Sequence, residues 1–119
     1  MKIAILAGAA LLCAAVPAAA ADTWAGVYGN TITSTYADGR VVKVYVEPDH
    51  TYSITLPDGK KLKGTWADVE GQSCFTLTDP APAPGAKPSC FPVREYKVGD
   101  MFGGEDATGK YTGVITAGR

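Results

Sequence analysis

Turn-forming clusters recur along this chain at intervals of about ten residues, and that spacing restricts the fold more than any other feature. Ala37-Asp38-Gly39-Arg40, Pro48-Asp49-His50, Pro57-Asp58-Gly59-Lys60 and Glu70-Gly71 each combine residues that favour a tight reversal of the backbone. Between them the apolar residues alternate. Residues 41–47 place Val42, Val44 and Val46 on one face, and residues 51–56 place Tyr52, Ile54 and Leu56 on one face with Thr51, Ser53 and Thr55 opposite. Residues 61–67 set Leu62, Gly64 and Trp66 against Lys61, Lys63 and Thr65. A period of two is the pattern of a half-buried strand, whereas a helix would repeat every 3.6 residues. No segment after residue 21 carries a helical apolar stripe.

The remaining strands follow from the same alternation. Residues 24–28 and 31–36 read as one long strand interrupted at Gly29-Asn30 by a bulge or corner. Residues 73–78 put Phe75 and Leu77 opposite Cys74 and Thr76, and residues 89–93 put Phe91 and Val93 opposite Cys90. Residues 98–102 and 111–116 read as a closing hairpin around a Gly103-Gly104-Glu105-Asp106 turn. About eight short antiparallel strands most economically curl into a small up-and-down barrel, closed or half-open, because closure removes exposed sheet edges. Side chains such as Trp66, Tyr52 and Leu62 fill so small an interior, leaving a shallow mouth for a ligand.

Ahead of this pattern stands a different kind of segment. Met1-Lys2 is followed by an apolar block from Ile3 to Val16, then Pro17 and Ala18-Ala19-Ala20-Ala21-Asp22. A positive start, an apolar core and small residues before a polar one are the parts of a secretory signal peptide, so residues 1–21 are expected to be removed and residues 22–119 to form a single β domain. A membrane anchor needs about 20 apolar residues, and this run is shorter and broken by Pro17. Acylation at Cys13 would require a small residue before it, where Leu12 stands. The mature protein is therefore expected to be periplasmic or secreted.

Export decides how the cysteines read. Of the 3 in the chain, Cys13 leaves with the signal, and Cys74 and Cys90 remain for an oxidising compartment where a disulfide is the default. The two share strand parity, so on neighbouring antiparallel strands they can lie opposite each other and bridge. The connection over residues 79–88 carries Asp79, Pro80, Pro82, Pro84, Lys87 and Pro88 together with Gly85. That composition gives a stiff extended loop, held at both ends by the bridge, and makes it the candidate recognition element.

Composition and motifs exclude more than they assign. The 11 Lys and Arg against 12 Asp and Glu give a formal charge of −1, and loss of Lys2 makes it −2, so no nucleic-acid partner is implied. Lys60, Lys61 and Lys63 beside Asp58 read as a solvated strand face. The single histidine, His50, sits in a turn with no nucleophile in its sequence neighbourhood, which argues against hydrolytic catalysis. Asp100, Glu105 and Asp106 depart from the spacing of a calcium loop, and no glycine-rich loop opens a helix. No metal and no cofactor are expected.

Gly64-Thr65-Trp66, the turn at Glu70-Gly71, Cys74-Phe75-Thr76-Leu77, Val98-Gly99-Asp100 and the final Thr116-Ala117-Gly118-Arg119 resemble a pattern in short exported β-barrel proteins of Gram-negative bacteria, a group without an assigned activity. Trp66, Gly71 and Cys74 are also similar in order to residues of small periplasmic metalloprotease-inhibitor barrels, although that family pairs its cysteine with an earlier one. The Ser-Gly-x-x-Tyr segment of barrel-type lysozyme inhibitors is missing, and Thr23-Trp24 has only a passing likeness to biotin-binding barrels. The expectation is a non-catalytic exported binding or envelope-associated module, whose partner is another envelope or secreted protein. The alternative is an inhibitor of a secreted hydrolase, either a protease or a lysozyme.

Overall fold

A computed structural model describes residues 22–106 and 108–119. The signal-peptide reading of residues 1–21, Cys13 included, lies outside these residues. Eight strands follow one another: β1 (Thr31–Tyr36), β2 (Val41–Val46), β3 (Thr51–Thr55), β4 (Lys61–Val69), β5 (Gln72–Asp79), β6 (Ser89–Pro92), β7 (Met101–Asp106) and β8 (Gly109–Thr116). They form one antiparallel sheet in the order β6-β5-β4-β3-β2-β1-β8-β7. The pairing of β1 with β8 curls the meander into a nearly closed barrel, and the described residues contain no helix. Only the seam between β6 and β7 lacks a ladder. Aromatic side chains span it, with Phe91 meeting Phe102 edge-on at a centroid distance of 5.8 Å.

Period-two alternation settles which side chains fill the barrel. Val42, Val46, Tyr52, Trp66 and Phe75 are buried, with Val44, Ile54 and Leu77 half-buried beside them. Cys74 and Cys90, from the opposite parity, are direct partners in the β5–β6 register, and their sulfurs lie at disulfide-bonding distance. Glu70 and Gly71 both have positive φ, 50° and 81°, as a two-residue hairpin of matching twist requires between β4 and β5.

Two local expectations are corrected. Residues 24–28 are not a strand. Asp22 accepts from the Trp24 amide at 3.1 Å, and bonds from Val27 N to Trp24 O and Asn30 N to Val27 O wind the segment into successive turns. An aspartate ahead of the segment satisfies free amides as a helix cap does, and this local bonding outcompetes a ladder. Gly103-Gly104-Glu105-Asp106 is strand rather than turn. Gly104 lets the Tyr111 ring lie flat against β7, where a Cβ would stand 2.5 Å from Tyr111 Cζ. Asp106 instead starts the turn, its Oδ1 accepting from Thr108 N at 2.8 Å and Thr108 Oγ1 at 2.6 Å.

Successive antiparallel strands send alternate connections to opposite ends of the barrel. The 47–50 and 70–71 turns and the 93–100 connection share one end with the turns of residues 22–30 and the C-terminus. That end is sealed. Trp24, 1% exposed, stacks on Tyr96 at 4.3 Å and meets Phe75 edge-on at 5.3 Å. Its Nε1 donates to Ser73 Oγ at 3.0 Å, Ser73 donates in turn to Asp68, and Thr23 Oγ1 also donates to Asp68. The plug is thus apolar toward the core and fully hydrogen-bonded toward β4 and β5.

Candidate functional site

The other end carries the 37–40, 56–60 and 80–88 connections and the β7–β8 turn, and it is open. An interior cavity of about 90 Å³ runs down from it between Trp24, Val42, Val44, Ile54, Phe91 and Phe102. A mouth cavity of about 290 Å³ lies above, walled by Leu56, Leu62 and Leu77 on the strands and by Pro82, Lys87 and Pro88 of the proline loop. Tyr36, Val42, Tyr52, Ile54, Phe75, Ser89 and Asp106 line both, so the two are storeys of one calyx.

Alternation delivers the polar groups of the rim. Continuing the inward parity of Ile32 and Ser34 along β1 brings Tyr36 to the mouth, the same parity along β7 brings Asp106 there, and along β8 it brings Tyr111 to the lower storey just beneath them. Tyr36 donates to Asp106 Oδ2 at 2.6 Å, and its ring lies 5.3 Å from that of Tyr111. The Arg40 guanidinium sits 4.2 Å above the Tyr36 ring, donating through Nε to Asp38 and through Nη2 to the Thr108 carbonyl. This cation–π contact covers one wall of the mouth.

The environment separates the ionisation of these groups. Burial, then the hydrogen bond to Asp106 and its charge, pushes the Tyr36 phenol up to about 12. Burial, then Tyr36 and Asp106, pushes Tyr111 above the usual range as well. Burial alone would raise Asp106, but hydrogen bonds from Thr108 and Tyr36 outweigh it and hold the carboxylate below its ordinary value. At neutral pH the rim therefore holds the Tyr36 phenol as a donor and the ionised Asp106 as an acceptor, with the Tyr111 phenol beneath them.

The sequence-derived site residues divide in this geometry. Pro82, Lys87 and Pro88 form part of the mouth wall, while Asp79, Pro80 and Pro84 belong to the exposed remainder of the loop and line neither storey. Ala83-Pro84-Gly85-Ala86 forms its tip, closed by Ala86 N to Ala83 O at 3.0 Å, with Gly85 at φ 80°. Cys74 and Cys90 brace the base of that loop from the outer face. His50 stays in an exposed turn, stacked on Trp66 at 4.0 Å, at the sealed end. Asp100 and Asp106 stand at opposite ends of β7, and Glu105 faces outward opposite Lys110. Among the described residues no three His, Cys, Asp or Glu side chains converge as a metal site, and no helix is long and apolar enough to cross a membrane. Tyr36 and Tyr111 are not singled out by the sequence, and Arg40 and Asp106 read there only as turn residues, Asp106 also as a calcium candidate, so their meeting at the cavity is not legible in it. For Tyr36 and Asp106 the available signal was a polar or aromatic residue at the inward parity of the last strand position before a turn. No family model, curated protein or solved structure matches the chain.

Proposed function

We propose that this protein is a non-catalytic, exported binding module whose barrel takes a small, partly apolar ligand through its open end. The carrying observation is the two-storey calyx, apolar in depth and polar at the rim, sealed at one end by Trp24 and Tyr96. Ligand sites are concave, mostly apolar pockets with a few placed polar groups, and the calyx has that make-up. The export reading rests on residues 1–21 and on the paired cysteines. Expressing the full chain and sequencing the released protein should give a start at Ala21 or Asp22.

Binding is tested with 1-octanol by titration calorimetry. The native domain should bind it, and Val44→Phe, which fills the lower storey, should not. A melting curve verifies that the variant is folded, and Ser34→Leu provides a second filling of the same space. Equal binding by native and folded, filled domains would refute the calyx as the site.

The inhibitor reading has one observation in its favour. The loop tip is a turn with proline and a positive-φ glycine at its centre, anchored by the Cys74–Cys90 pair, so little freedom is lost when it enters a partner's cleft. Replacing Pro80, Pro82 and Pro84 by glycine should then weaken capture of an envelope or secreted partner while preserving the fold. Identical partners for both forms would leave the tip without that role.

A further inference from the structure

The two storeys differ in what they admit. An apolar cavity of about 150 Å³ accepts a benzene ring, and the lower storey, at about 90 Å³, is smaller and crowded by Trp24, Phe75, Phe91 and Phe102. A volume that small suits the slender end of an unbranched chain better than a ring. The leucine-walled mouth of about 290 Å³ then covers the remainder of such a chain. An ionised group placed in depth would lose its water with little compensation, so any charge on the ligand belongs at the rim.

The rim has spare donors and few spare acceptors. Asp106 already accepts from Thr108 N, Thr108 Oγ1 and Tyr36. Arg40 uses Nε and Nη2 and keeps Nη1 free of any partner among the described residues. Lys87 lines the mouth with no carboxylate partner among the described residues, which leaves three ammonium donors uncommitted. The Tyr111 hydroxyl, facing the lower storey, likewise has no partner among the described residues. Asp38 and Asp106 flank Arg40 and offset its charge, so Lys87 is the uncompensated cation of the mouth.

Resting on the calyx reading above, we infer that the ligand is a short unbranched alkyl carboxylate, bound tail-first, with its head group held at the rim by Lys87 and Arg40. The tail replaces water against Val44, Ile54 and Phe102. The carboxylate accepts from the Lys87 ammonium and the free Arg40 Nη1. Lys87 belongs to the proline loop, so head-group binding also ties that loop down over the tail.

Octanoate, 1-octanol and octylamine, three probes of one length and three charges, separate this inference from the reading beneath it. Octanoate should bind most tightly and octylamine least. Lys87→Ala should weaken octanoate by roughly two- to fivefold, as a rim ion pair does, and weaken 1-octanol by a clearly smaller factor. Orientation is read from Trp24, which lines the lower storey. In a Trp66→Phe background, 8-bromooctanoate should quench its emission and 2-bromooctanoate should not, because only the terminal bromine reaches depth. Octanol binding as well as octanoate, octylamine binding better, an unaffected Lys87→Ala, or stronger quenching by the 2-bromo acid would each overturn the inference while the calyx stands. Absence of binding by all three would overturn the calyx itself.

Discussion

Trp24→Ala removes the plug that seals the barrel, and its cost can be worked from the contacts it makes. The side chain is 1% exposed, lies parallel to Tyr96 at 4.3 Å, meets Phe75 at 5.3 Å and donates to Ser73 at 3.0 Å. Truncating a buried tryptophan costs about 3–5 kcal/mol through lost transfer energy and the cavity left behind. A domain of this size holds about 5–15 kcal/mol in all, so the variant should lie near the edge of folding. With a urea dependence of about 1.5 kcal/mol/M, the midpoint should fall by roughly 2–3 M. Trp24→Phe retains an aromatic ring against Tyr96 but loses the indole N–H, and the cost should drop to about 1–2 kcal/mol. Equilibrium urea unfolding followed by far-UV circular dichroism measures both variants. A Trp24→Ala shift worth less than ~1 kcal/mol would show that residues 22–29 lie loosely on the barrel and that the end is not sealed.

Intact mass under non-reducing conditions should be about 2 Da below that of the reduced protein, and replacing Cys74 and Cys90 with serine should cost about 3 kcal/mol for a closed loop of this length; two free thiols on alkylation would contradict the pairing. Of the 6 tyrosines, Tyr36 and Tyr52 are pushed up to about 12, both chiefly by burial, and Tyr28 and Tyr111 lie above the usual range, so ultraviolet titration of the folded protein should leave these four protonated at pH 10.5. Because folding raises these values, their stabilising contribution is complete below the unfolded value near 10 and is lost as pH climbs through the folded values, so alkaline unfolding should set in above pH 10. Ionisation of all the tyrosines around 10 in the folded state would refute this. Gly104→Ala brings a Cβ against the Tyr111 ring and should destabilise by about 1–3 kcal/mol in thermal melts, with Tyr111→Ala relieving most of the penalty in the double variant; a Gly104→Ala protein as stable as the native one would place the ring elsewhere.

Much of the architecture is local and could be read residue by residue. Strand alternation is a property of the pleat, so Val42, Tyr52, Trp66 and Phe75 announce their inward face without knowledge of their neighbours, and paired turn residues such as Glu70-Gly71 announce where a strand must reverse. The shared parity of Cys74 and Cys90 likewise followed from counting. Where the reading failed, a contact distant in sequence had won. The turns of residues 22–30 depend in part on Asp68 and Ser73, more than forty residues away, which hold Thr23 and Trp24 against the barrel. The strand through Gly103 and Gly104 depends on the Tyr111 ring that covers it.

The calyx belongs wholly to this second class. Tyr36 and Tyr111 are unremarkable in sequence, and Arg40 and Asp106 read as turn residues. They meet because β1 pairs with both β2 and β8, which brings two distant turns to one rim. Composition and alternation thus determined that the chain is a stapled meander of eight strands. Closure of the meander on itself decided which end is sealed, which is open and which charges face the mouth. The physical reason is that side-chain period is set by covalent geometry within each strand, whereas a cavity is made only by the long-range pairings that bring its walls together.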